Sequence, residues 1–125
     1  MLDMEALESA GIDTEEGIAY CADDPEFYEE MIIEYLKESA GRIADLERYY
    51  ADRDWHSYTV CAHSVKSTSR MIGAAKLSED ARAMEMAGRE ENKEAILAGH
   101  ARFLEAYRDT VEKLCAITAP EGELI

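Results

Sequence analysis

The chain has 125 residues, 47% of them hydrophobic, enough to build one domain around one core. Its 28 Asp and Glu against 13 Lys and Arg leave a net charge of -15, which argues against nucleic acid and anionic membrane surfaces, since both are bound through clustered Lys and Arg. Three cysteines, Cys21, Cys61 and Cys115, are widely separated and form no C-x-x-C spacing, so free thiols are expected rather than a disulfide framework or a structural zinc site.

The start, Met1-Leu2-Asp3-Met4-Glu5, is acidic and lacks the basic-then-apolar order of a signal peptide. No apolar run reaches the length of a bilayer span, so a soluble cytoplasmic protein is expected. Only Pro25 and Pro120 interrupt helical potential, and strand-like alternation is absent. A helical turn is expected over residues 4 to 9. Asp13 then caps a short helix over residues 14 to 21, with Glu16 completing a capping box. Asp24-Pro25 supplies a cap and a first-turn proline, and Glu26, Glu29 and Glu30 suit the positive end of the helix dipole.

Tyr28, Ile32, Tyr35, Ser39, Ile43, Leu46 and Tyr50 recur at three and four residues, which predicts one long helix to residue 51, weakened at Gly41. Asp52-Arg53-Asp54 is a short turn that caps the next helix at Asp54, and so brief a link makes antiparallel neighbours. The second long helix runs from Trp55 to about Gly73. A shorter one starts at Ser78 or the turn before it, faces Leu77, Ala81 and Met84 inward, and ends at Ala87 before Gly88. The last begins near Glu90 and carries Leu97, Leu104, Tyr107, Val111 and Leu114. These elements predict an all-α fold, an antiparallel up-and-down four-helix bundle with a short additional N-terminal helix lying across one end. A single domain over 1–125 is expected, with its core at about 10–117 and a polar tail, including Pro120, over 118–125.

Function is sought in the stretch between Trp55 and Ser78, which contains no Asp or Glu although the whole chain is strongly acidic. At about 100° per residue, Tyr58, Cys61, Val65, Thr68 and Ile72 form the core stripe of this helix. His63 falls opposite, with His56, Thr59, Lys66, Ser67, Arg70 and Ala74 on its side. Gly73 at the edge keeps the surface low. A water-facing imidazole with a reference pKa near ~6.5 offers one nitrogen as a nucleophile. Lys66 and Arg70, one and two turns away, could stabilise an acquired phosphoryl group by charge-assisted hydrogen bonds.

His63, Lys66, Gly73, Ala74 and Leu77 together resemble the H-x-x-K-G core and following Gly-Ala and Leu of the histidine-containing phosphotransfer (HPt) domain of bacterial multistep phosphorelays. The resemblance covers roughly residues 10 to 115 and includes the Asp54-Trp55 turn. It implies that His63 takes a phosphoryl group from the aspartate of one receiver domain and gives it to another, with Lys66 as the stabilising cation and Gly73 as a close-packing position. Arg70 as electrostatic support rests on the helical wheel alone. Ser67 replaces the family's glycine, placing a small polar side chain where a receiver would approach. Thr59, Val60, Ser67, Met71, Gly73 and Ala74 are the candidate docking residues. Response-regulator receiver domains are the implied partners, with a hybrid sensor kinase as a further candidate.

Glu85, following Met84, matches a recurrent acidic position of the family. It is expected to be an exposed or structural carboxylate, with a hydrogen bond to His63 the less favoured alternative. His56 lies seven residues from His63, about 10 Å along the axis, too far to share a metal ion, and is assigned to the rim. His100, between Leu97 and Leu104, is expected at an interior or boundary position. No glycine-rich phosphate loop, oriented nucleophile or metal cluster is legible, so a phosphocarrier without an ATP site or cofactor is expected, any Mg²⁺ belonging to the receiver. The alternative is a helical-bundle adaptor that binds a receiver-like partner without phosphotransfer.

Overall fold

The computed structural model describes residues 2–118 as six α-helices: α1 (Met4–Ser9), α2 (Thr14–Tyr20), α3 (Pro25–Ala51), α4 (Trp55–Met71), α5 (Ala75–Arg89) and α6 (Lys93–Thr118). Pro120 and residues 119–125 of the expected tail lie outside the described residues. Aspartates start the helices where their spacing predicts. Asp13 accepts from the Glu16 amide, Asp24 from those of Glu26 and Phe27, and Asp54 from that of Ser57. The capping box at Asp13 is only half formed, because the Asp13 amide donates to the Gly73 carbonyl at 2.8 Å instead of to Glu16.

Links 52–54, 72–74 and 90–92 are three residues each and join α3 to α6 as antiparallel neighbours. Contacts run α3 to α4, α4 to α5, α5 to α6 and back from α6 to α3, closing a four-helix bundle, with the α4–α5 contact the most extensive. Tyr28, Tyr58 and Tyr107 are fully buried in its core with Ile32, Leu46, Val65, Ile96 and Leu114. Two short helices, not one, precede the bundle: α1 packs on α2 and α6, and α2 on α3 and α4.

α2 is docked on the end of α4. The Tyr28 hydroxyl donates to the Ile72 carbonyl at 2.8 Å, and Gly73 adopts φ +85° while its carbonyl takes the Asp13 amide. A Cβ at Gly73 would collide with the Asp13 carbonyl. Gly73 and Ala74 are therefore buried and belong to the packing of the bundle end, which corrects their expected place on an accessible docking face.

Other departures share a physical cause. Gly88 does not stop α5, which runs to Arg89; it is where α5 approaches α4 so closely that a Cβ would strike Thr59. Ile96 and His100, not Leu97, face inward at the start of α6, and Leu97 is 44% exposed. Along α4 the buried positions are Tyr58, Ala62, Val65 and Ser69, so the core stripe is turned by one residue from Cys61 and Thr68, which are half-buried. Ala62 and Ser69 are fully buried, and Ser69 meets the Tyr35 hydroxyl at 2.8 Å.

Gly41 has open space around its Cα within α3, whereas Gly73 combines a left-handed backbone with a close neighbour. Gly73→Ala is expected to lower the free energy of unfolding by about 2–3 kcal/mol and Gly41→Ala to raise it by about 0.5–1 kcal/mol, both read by urea denaturation. Equal effects at the two sites would contradict the packing described.

Candidate functional site

The middle of α4 places His63 on the surface, its side chain 49% exposed, between Val60 and Ser67. Its Nδ1 lies 2.7 Å from Oε2 of Glu85, which projects from α5 and is only 2% exposed. Lys66 Nζ reaches Oε1 of the same carboxylate at 2.8 Å, while Arg89 donates to Oε2 through Nε at 3.0 Å, with Nη2 2.8 Å from the same oxygen. One buried carboxylate thus collects donors from three side chains on two helices. The acid-free stretch is acid-free along the chain but not in space, because α5 folds an anion beneath the ring.

Burial opposes ionisation of Glu85, yet the hydrogen bonds from Lys66, His63 and Arg89 outweigh it and bring its pKa down to about 2 from 4.5. An ionised carboxylate only accepts, so in the neutral ring the proton sits on Nδ1 and Nε2 keeps its lone pair. No hydrogen-bond partner meets Nε2 among the described residues. Two cations and one anion leave the immediate surroundings of the ring net positive in a protein of charge -15.

The expected site residues separate into groups. His63 and Lys66 are together, joined through Glu85, so Lys66 is a partner of a buried anion rather than a free surface cation. Arg70 points elsewhere: its Nε donates to the Tyr20 hydroxyl at 3.0 Å and lies 3.8 Å from Glu16, which ties α4 to α2 and corrects its expected place beside His63. Val60, Ser67 and Met71 are exposed on the same strip as His63, with Val60 at 55% and Met71 at 38%. Thr59 is half-buried, its hydroxyl donating to the Trp55 carbonyl and its side chain packed at Gly88. A cleft between α4, α5 and α6, lined by Trp55, Val60, Arg89 and Lys93 among others, opens next to this strip.

One participant is anticipated only as the less favoured alternative, and another escapes the sequence reading. Glu85 was expected to be exposed or structural, and the hydrogen bond to His63 proves to be the arrangement present. Arg89 was not singled out at all, although its position four residues after Glu85 is the spacing of a helical ion pair. His100 is interior: it is stacked on Tyr50 at 3.8 Å, bonded through Nδ1 to the Tyr58 hydroxyl at 2.8 Å, and its pKa is lowered by burial. No helix among the described residues is long and apolar enough to cross a membrane.

The helical bundle thus holds a half-exposed imidazole over a buried, ionised carboxylate, with the distal ring nitrogen open. The Hpt domain family model matches residues 30–117, and the chain belongs to this family. Hpt domains are helical bundles that carry phosphoryl groups on histidine in phosphorelays and work with receiver domains; they are not ATP-dependent enzymes. No curated protein and no solved structure matches the chain at a significant level.

The site also leaves a signature on stability. Above pH 4.5 Glu85 is ionised whether folded or not, and its contribution is complete; as pH falls from 4.5 toward 2 the unfolded chain takes up the proton first and the contribution is lost. Glu85→Gln is expected to reduce stability near neutral pH by on the order of 1–3 kcal/mol, at the lower end because its partners are reached by solvent. Urea titrations at about pH 7 and about pH 3 should find that gap clearly narrowed at the lower value, though not closed, since the folded carboxylate is still mostly ionised there. A gap independent of pH would contradict the ionised, paired state.

Proposed function

We propose that this Hpt domain shuttles a phosphoryl group through Nε2 of His63. The observation that carries the reading is the hydrogen bond from Nδ1 to Glu85, which leaves Nε2 as the nucleophilic nitrogen of a solvent-accessible ring. The Nε2 lone pair attacks the phosphorus of a receiver's aspartyl phosphate. As the N–P bond forms, the P–O bond to the aspartate breaks, and its electron pair leaves on the carboxylate. The ring, still protonated at Nδ1, becomes a phosphorylated imidazolium whose positive charge is opposed by Glu85. In the return step a second receiver's carboxylate oxygen attacks the phosphorus, the N–P bond breaks, and its electrons restore the neutral ring.

Lys66 supports this in two ways consistent with its position: it keeps Glu85 ionised, and its ammonium adds positive potential near the incoming phosphoryl oxygens. Docking uses the exposed strip of Val60, Ser67 and Met71, to which the acidic pocket of a receiver is electrostatically complementary. By this reading the Mg²⁺ of the reaction is held by the receiver, the chain itself needs no cofactor, and the relay runs in the cytoplasm between receiver domains or from a hybrid sensor kinase. A side chain at Ser67 tunes which receiver fits, since it lies exposed one turn beyond the histidine.

His63→Gln is expected to abolish acid-labile, base-stable labelling from a phosphorylated receiver while helix content is unchanged; retained labelling would remove His63 from the role. Lys66→Ala is expected to slow transfer by roughly ten- to a hundredfold or to shorten the phosphohistidine's life correspondingly. Rates and lifetimes equal to those of the parent would deny Lys66 its part. An adaptor without phosphotransfer would instead keep partner affinity and signalling output in His63→Gln.

A further inference from the structure

One charged side chain beside the ring has so far entered only as a donor that keeps Glu85 ionised. Arg89, in the last turn of α5, donates from Nε to Oε2 of Glu85 and brings Nη2 within 2.8 Å of it, the same oxygen that accepts the Nδ1 proton of His63. Lys66 holds the other oxygen. We propose that Arg89 is the positioning residue of this site, setting the plane of the Glu85 carboxylate so that the His63 proton is held on Nδ1 and Nε2 is left open.

The terminal torsion of a glutamate is broad and roughly two-fold, so the rotamer by itself does not decide where the two oxygens point. An ammonium is a point donor with no plane of its own and leaves that rotation free. A guanidinium is a rigid fork, and two of its N–H groups converging on one oxygen fix both the position and the facing of that oxygen. Here the fixed oxygen is the one under the ring. The side chain of Arg89 is itself 62% exposed, so its loss opens no hole in the core and removes the orientation without the fold. The functional consequence rests on His63 being the phosphoacceptor, whereas the geometric claim does not.

The test reads the ring directly. Ring ¹⁵N chemical shifts of His63 in the unphosphorylated protein, at a pH about two units above the histidine reference value of ~6.5, report which nitrogen carries the proton. The parent is expected to hold it almost wholly on Nδ1. Arg89→Gln should show a mixture of both tautomers and a phosphoryl uptake from a phosphorylated receiver slowed by roughly three- to tenfold. Arg89→Lys, which restores the charge without the fork, should recover the uptake only in part. Unchanged helix content in both variants would separate positioning from folding, with a modest fall in thermal midpoint expected in Arg89→Gln because Glu85 loses one of its three donors. A proton distribution unaltered in Arg89→Gln overturns the proposal, and so does an altered distribution with unaltered uptake, because the orientation would then have no consequence. Labelling retained in His63→Gln would instead overturn the phosphoacceptor reading, while the tautomer measurement still decides the position of the proton.

Discussion

A carboxylate taken out of water costs several kcal/mol unless charges and hydrogen bonds replace its hydration, and removing one partner from such a group leaves an uncompensated buried ion. Glu85 meets that constraint with three donors, two of them from α4 and one from its own helix. The requirement works in both directions. The anion needs His63, Lys66 and Arg89 to remain ionised at its depth, and in return it sets how the imidazole faces the solvent. Packing of α4 on α5, the most extensive contact in the bundle, and the chemistry of the exposed ring are therefore one arrangement rather than two.

That arrangement depends on backbone proximity. Gly88 lets α5 come against Thr59 on α4, one turn before His63, and small residues at Ala62 and Ala81 are buried in the same bundle. A glutamate arm is long enough to pass under the ring only if the two helices are near. The result is a local surplus of positive charge on a molecule whose outer faces are crowded with carboxylates, including the ion-paired Glu34, Glu38 and Asp45 of α3. Positive potential on this surface is thus concentrated around His63.

Much of this was legible before any coordinates. Caps at Asp13, Asp24 and Asp54 and the three-residue links carry their signals within a few neighbouring positions, so helix starts and the antiparallel bundle follow from local rules. His63 with Lys66 stands out by spacing. What failed was whatever depends on distances between helices. Ala62 and Ser69 have too little hydrophobic weight to mark a core stripe, so a wheel built on larger residues was turned toward Cys61 and Thr68. Gly88 has the composition of a stop signal but serves as a contact, and Arg70 shares a nominal face with His63 yet bends toward Tyr20 and Glu16 of a segment some fifty residues earlier. Arg89 lies on another helix, where a spacing rule applied to α4 does not look, and Glu85 is met there only through the family resemblance.

The joint between α2 and the end of α4 bears on what counts as the working unit. Ile72 and Gly73 offer carbonyls at the terminus of the histidine-bearing helix, and these are taken up by the Tyr28 hydroxyl and the Asp13 amide, both contributed by residues upstream of the segment recognised by family likeness, 30–117. A fragment trimmed to that boundary would retain every side chain that touches the imidazole but expose two acceptors at the helix that carries it, inviting the last turn to fray. The evolutionary module and the mechanically finished one are, in this chain, of different lengths.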